Sequence, residues 1–167
     1  ISAAVTGQID VREEVEAERS VKEINTWARM NLVLELIRRM RASGNTSFGR
    51  VMLVKMLYII QHHVRVKGMR FTYHRKDQGW YRVIEQASNE QRSVSYLFLD
   101  EDKTAQIESY FQESWGDVDD QIERIVSQFT KMDTTQAEIF ATLYAAWNDF
   151  LIEGKSPTDE EIIHGVR

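Results

Sequence analysis

Residues 48–66 read Phe48-Gly49-Arg50-Val51-Met52-Leu53-Val54-Lys55-Met56-Leu57-Tyr58-Ile59-Ile60-Gln61-His62-His63-Val64-Arg65-Val66. Apolar residues recur at Val51, Val54, Leu57, Tyr58 and Val64 on one face and at Met52, Met56 and Ile59 on another. That spacing is helical, and a helix apolar nearly all round belongs in the middle of a core. Asn45-Thr46-Ser47 ahead of it offers a turn and a cap, and Gly68 behind it a stop. The spacing predicts a helix from Phe48 to about Val66, in a chain that is mainly α.

Helices flank it on both sides. Ser20-Val21-Lys22-Glu23 has the form of a capping box, followed by Val21, Ile24, Trp27, Leu32, Leu34, Ile37 and Met40 at near-helical spacing and by Gly44. Residues 1–19 read as a flexible extension before a single domain over 20–167. After Asp100, Ile107, Tyr110 and Phe111 mark a short amphipathic helix ending near Trp115-Gly116. Asp117 is placed to cap the next, with Val118, Ile122, Ile125, Val126 and Phe129 on one stripe. Thr135 to Glu138 reads as a capping box for a helix from Ile139 to Ile152, with Leu143, Trp147, Phe150 and Leu151 apolar and Gly154 closing it. Ser156 to Glu161 opens a last helix, with Pro157 in its first turn and acids at its positive end. Trp27, Leu34, Val54, Leu57, Tyr58, Ile122, Leu143 and Trp147 are the expected core.

Around residues 69–99 the period changes from helical to two. Met69 to Tyr73, Trp80 to Glu85 and Ser93 to Leu99 alternate, and they are rich in aromatic and β-branched residues. Ser88 to Gln91 reads as a hairpin loop. The expected insert is a small antiparallel β-hairpin, a layout like the wing of a winged helix.

Composition narrows the chemistry. The chain has 167 residues, no Cys, one Pro and eight Gly. One domain is the default at this length, large enough to need no metal or disulfide staple. Without Cys there is no disulfide framework, thiolate zinc site, iron–sulfur cluster or cysteine nucleophile, which fits a reducing cytoplasm. No apolar run approaches the ~18 residues of a membrane span. The chain starts at Ile1, not Met, and Ile1 to Thr6 lack a basic n-region and a cleavage pattern, so the expectation is an excised domain or the ordered part of something larger.

Net charge is −5, against a chain that is basic throughout, but the charge is unevenly distributed. Arg50, Lys55, Arg65, Lys67, Arg70, Arg75, Lys76 and Arg82 face one acid, Asp77, so residues 50–82 carry +7. Residues 100–120 hold eight acids and one Lys, or −7. This is the pattern of an anion-binding face beside an internal counter-charge, or of two solvated surfaces. Tyr73, Trp80, Tyr81, Tyr96 and Phe98 interleave with Arg70, Arg75, Lys76 and Arg82, which suits a stacking or groove-binding surface, although alternation of core and solvent faces produces the same pattern. Arg70, Arg75, Lys76 and Arg82 are the candidate DNA contacts. Lys55, in mid-helix among Met52, Met56 and Ile59, is a poorer one that snorkels past them.

Other motifs are weaker. His62 and His63 are adjacent, about 100° apart on a helix, and cannot easily share an ion. Asp149 with Glu153-Gly154-Lys155 has the outline of a nuclease motif, but at a helix end, where Gly and Lys are ordinary. Asp100 to Asp102 and Asp119-Asp120 lack the Gly and Glu spacing of an EF-hand. No phosphate-cradling loop, dinucleotide fingerprint or nucleophile elbow is present. The expectation is no catalytic residue, cofactor or metal in this domain.

Two stretches resemble known proteins. Phe48 to Tyr58 resembles the Phe-Gly-Arg helix of Panacea-type domains and of C-terminal regions of type I restriction–modification subunits. Glu138 to Ile162, with Ala145-Ala146-Trp147-Asn148-Asp149-Phe150-Leu151-Ile152-Glu153-Gly154-Lys155, is similar to a segment of the same restriction proteins, above all specificity-subunit-like ones. With Gly79-Trp80-Tyr81 the similarity spans about residues 45–163. One departure stands out. The family's Gly-Pro-containing segment after a Tyr-x-Arg-like strand has no counterpart here, since Tyr73-His74-Arg75 runs into Lys76-Asp77-Gln78-Gly79-Trp80. Either that segment is lost or a stretch is missing between Arg75 and Gly79.

The resemblance implies a non-catalytic, DNA- or subunit-contacting domain of a bacterial type I restriction–modification system, part of a defence enzyme whose chemistry sits elsewhere. Its partners would be the DNA phosphate backbone, other subunits of the system, or both, with no membrane, small-molecule substrate or cofactor. The alternative is a Panacea-type antitoxin or proteolysis-adaptor module working by protein–protein contact. A standalone nuclease is a third class.

Overall fold

The computed structural model describes residues 21–69, 81–87 and 93–165. The mainly α class holds. In order, the described elements are β1 (Lys22–Glu23), α1 (Thr26–Ala42), α2 (Arg50–His63), β2 (Val66–Lys67), β3 (Tyr81–Ala87), β4 (Ser93–Leu99), α3 (Thr104–Trp115), α4 (Asp119–Phe129), α5 (Thr134–Ile152) and α6 (Asp159–Gly165). Single 3-10 turns at Glu101–Lys103 and Gly116–Val118 precede α3 and α4.

The apolar helix stands where its sequence puts it. Met52, Leu53, Met56, Leu57, Ile59 and Ile60 of α2 are buried in one core with Leu32, Leu36 and Met40 of α1, Phe111 and Trp115 of α3, Ile122, Ile125 and Phe129 of α4, and Phe140, Tyr144 and Trp147 of α5. α2 packs against α1, α4 and α5, while α1 also lies along α3. Leu34, Leu57, Ile122 and Trp147 are buried as expected, and Val54, Tyr58 and Leu143 are half-buried. Trp27 is not core. It is 41% exposed in the first turn of α1, its ring edge-on to Tyr110 at 5.3 Å. The fully buried indole is Trp115, whose Nε1 donates to Ala28 O at 2.7 Å.

Several helix starts differ from expectation, at α1, α5 and α6 because another side chain supplies the cap. Glu23 is no N3 residue. Lys22 and Glu23 pair in parallel with Val66 and Lys67, so the chain stays extended until Asn25, whose Oδ1 accepts from Ala28 N at 2.8 Å and caps α1. Ser20 lies outside the described residues. Asn45 to Ser47 form a turn but do not cap α2, which starts after an extended Gly49 and ends at His63 instead of Val66. The Asn45 amide instead donates to Phe129 O, Thr130 O and Met132 O at 3.1, 3.2 and 2.9 Å, closing the C-terminus of α4. Asp117 caps nothing, being taken by Lys22 Nζ at 2.6 Å. The capping box of α5 is Asp133 with Gln136, two residues before the expected one. Pro157 precedes α6, where Thr158 and Glu161 exchange the capping bonds.

Among the described residues the β content comprises two separate pairs. The two-residue parallel ladder of β1 and β2 was not expected, because elements so short carry no alternation to read. β3 and β4 pair antiparallel with Ile84 opposite Tyr96. Arg41 Nε donates to Leu97 O at 2.5 Å and fastens β4 to α1. The expected loop at 88–91 and the expected strand residues 70–73 lie outside the described residues.

Candidate functional site

Of the four candidate contacts, Arg70, Arg75 and Lys76 lie outside the described residues, and Arg82 is on β3 in register with Phe98 of β4. Lys55 is half-buried on α2. The described remainder of the basic window, Arg50, Arg65 and Lys67, is exposed.

Four acids of the acidic stretch find partners elsewhere. Asp117 pairs with Lys22, Glu108 with Arg38 at 3.8 Å, Asp119 with Arg39 at 2.8 Å, and Asp102 with the adjacent Lys103 at 3.9 Å. Among the described residues its counter-ions thus come from β1, α1 and its own Lys103, not from the basic window. Arg65 and Lys67 make no side-chain hydrogen bond or ion pair among the described residues. Their charge faces solvent.

A second feature carries no sequence motif. Glu35 is buried in α1, and its carboxylate accepts from Arg38 Nε and Nη2 at 2.7 Å each and from Arg39 Nε at 2.7 Å. Arg39 continues to Asp119 and Glu123 at 2.8 Å and lies 4.8 Å over the Phe111 ring. The carboxylates hold both guanidinium groups more firmly protonated against the opposing effect of burial. A Glu followed by Arg at i+3 and i+4 inside an apolar run was the available signal. Its geometry is that of a clamp between α1, α3 and α4.

The third cluster sits where α2 meets α5. The rings of Tyr58 and His62 lie 4.6 Å apart, Tyr58 meets Tyr144 edge-on at 6.3 Å, and Tyr144 meets Trp147 at 5.6 Å. Burial lowers the His62 pKa, and Asp149 opposes that shift. Burial raises Tyr58, with Asp149 adding to it. His63 is buried, so the two histidines diverge as their adjacency predicts.

The remaining motifs resolve into helix ends. Glu153 caps α5, with Lys155 Nζ 2.7 Å from its Oε2, and both are exposed. Among the described residues no group of three or more His, Asp or Glu side chains is placed to hold a metal ion. No helix among them is long and apolar enough to cross a membrane. Searches against family models, curated proteins and solved structures find no match for this chain.

Proposed function

We propose that this chain is a non-catalytic DNA- or subunit-contacting domain of a bacterial type I restriction–modification system, working in the cytoplasm. The observation that carries this reading is the unequal fate of the two charge blocks. Asp117, Glu108 and Asp119 of the acidic block are drawn into ion pairs with Lys22, Arg38 and Arg39, while Arg65 and Lys67 at the described edge of the basic block point to solvent. An uncompensated basic surface on an acidic chain favours a polyanion as partner. Arg70, Arg75, Lys76 and Arg82, the last on β3 of the pair read as a winged-helix-like element, belong to the same basic block and are the further contacts proposed. Phosphate contacts of this kind position a domain without reading bases.

A salt titration of binding to random duplex DNA tests the reading. Replacing Arg75 and Lys76 with Ala should weaken binding to all sequences alike and flatten the salt slope by about one unit per contact. Unchanged affinity and slope would exclude these two residues.

A second reading, a Panacea-type antitoxin or proteolysis-adaptor module, is favoured by apolar side chains left in water. Ile152 is 74% and Ile139 56% exposed, both on α5. It predicts salt-tolerant binding to a protein. Metal-dependent cleavage of DNA by the chain would overturn both.

A further inference from the structure

We infer that Arg65 and Lys67, just past the C-terminal end of α2, contact the phosphate backbone of nucleic acid. The inference rests on the reading above and adds two contact residues to it. Three helices of this chain end alike, with a cap residue of negative φ followed by one residue of positive φ. After α1 these are Ser43 and Gly44 (φ 75°), after α5 Glu153 and Gly154 (φ 72°), and after α2 Val64 and Arg65 (φ 57°). Glycine suits such a position because a Cβ crowds the backbone there. Arg65 is the one described non-glycine residue in this conformation.

Nothing in the local fold requires an arginine at that point. The ladder uses only the Arg65 carbonyl, which accepts from Lys22 N at 3.1 Å and would be present in glycine too. The side chain is exposed and has no hydrogen bond or ion pair among the described residues. A charged side chain carried at strained backbone, with no partner among the described residues, points outward for its use. Val66 is buried, and Arg65 before it and Lys67 after it are both exposed. Glu23 stands in register with Lys67 but forms no ion pair with it, and Lys22 is held by Asp117. Arg70 follows three residues on, continuing the basic block. Two exposed positive charges two residues apart suit the closely spaced negative charges of a phosphodiester chain.

The experiment compares the full chain with Arg65→Gly, Arg65→Ala, Arg65→Lys and Lys67→Ala in salt titrations on random duplex DNA, each with its melting temperature. Arg65→Gly, Arg65→Ala and Lys67→Ala should each weaken binding about five-fold at low salt and lower the slope by about one unit. Arg65→Lys should keep the slope. Arg65→Gly should melt at or above the temperature of the parent chain, because it relieves the positive-φ strain, so weaker binding cannot be charged to unfolding. If the parent binds and the slopes of Arg65→Gly and Arg65→Ala do not change, this inference falls and the broader reading stands. If the parent does not bind DNA at low salt, the broader reading falls and this inference with it. Equal binding of the parent to polyglutamate and to DNA would overturn the nucleic-acid assignment in favour of an acidic protein.

Discussion

Arg39 Nε donates to Glu35 Oε1 over 2.7 Å, and the same guanidinium reaches Asp119 and Glu123 at 2.8 Å, so one side chain joins a buried carboxylate to a half-buried one and an exposed one. The buried end carries the energy. Removing one member of a buried ion pair leaves the other desolvated and uncompensated, which costs about 3–5 kcal/mol, whereas exposed pairs contribute about 1 kcal/mol or less. Glu35→Ala should therefore destabilise the chain by about 3 kcal/mol in urea unfolding, and Glu123→Ala by less than about 1 kcal/mol. Equal losses for the two would show that the clamp is not anchored at Glu35.

Asn45 predicts an unusual ordering of substitutions. Its amide donates to three carbonyls at the end of α4. Asn45→Ala loses these bonds, at about 2 kcal/mol. Asn45→Asp should be worse at neutral pH, because a carboxylate cannot donate and its charge meets the negative end of the helix dipole. Denaturation of the two variants side by side gives the order directly.

Gly68 and Gly154 separate two effects that a positive φ usually mixes. At Gly68 (φ 91°) an added Cβ would stand 2.6 Å from Ile24 O, while at Gly154 (φ 72°) it would meet nothing within 4 Å. Gly154→Ala should cost about 1 kcal/mol, the conformational penalty alone. Gly68→Ala should cost clearly more and loosen the pairing of β1 with β2, which hydrogen exchange at Ile24 N would report. Equal penalties would mean that the ladder yields freely.

Much of the helical plan could be read from the sequence, because long stripes such as Ile122, Ile125, Val126 and Phe129 leave little choice of period. The ends of the helices were harder to read. Asp133 with Gln136 and Thr135 with Glu138 are equally good capping boxes by residue type, and only packing selects between them. Trp27 and Trp115 were interchangeable as apolar residues until the start of α1 decided which indole faces water. The buried Glu35 was hidden because a charge in an apolar stripe reads as an interruption until its two arginines close over it. Of the four candidate contacts, Arg82 alone falls on a described element, and Arg65, counted in the basic block, was not singled out because no sequence pattern reports a positive φ.

His62 makes stability depend on pH. Burial lowers its folded pKa below the ordinary value near 6.5, and Asp149 partly offsets this. In the unfolded chain the imidazole takes its proton first as pH falls. Stability is therefore whole above about pH 7 and declines as pH drops through 6.5 towards the folded pKa. His62→Phe should remove that part of the decline, and Asp149→Asn should steepen it by withdrawing the charge that favours the imidazolium. Chemical denaturation between pH 5 and pH 8 would show both, and a decline unaltered in His62→Phe would assign it to other groups.

The most direct test of a basic face made for a polyanion is the salt dependence of binding between the whole chain and random duplex DNA. The account predicts micromolar-range binding at low salt, with the logarithm of the association constant falling linearly against the logarithm of salt concentration by about one unit per phosphate contact. No binding at low salt, or binding that does not weaken as salt rises, would contradict it.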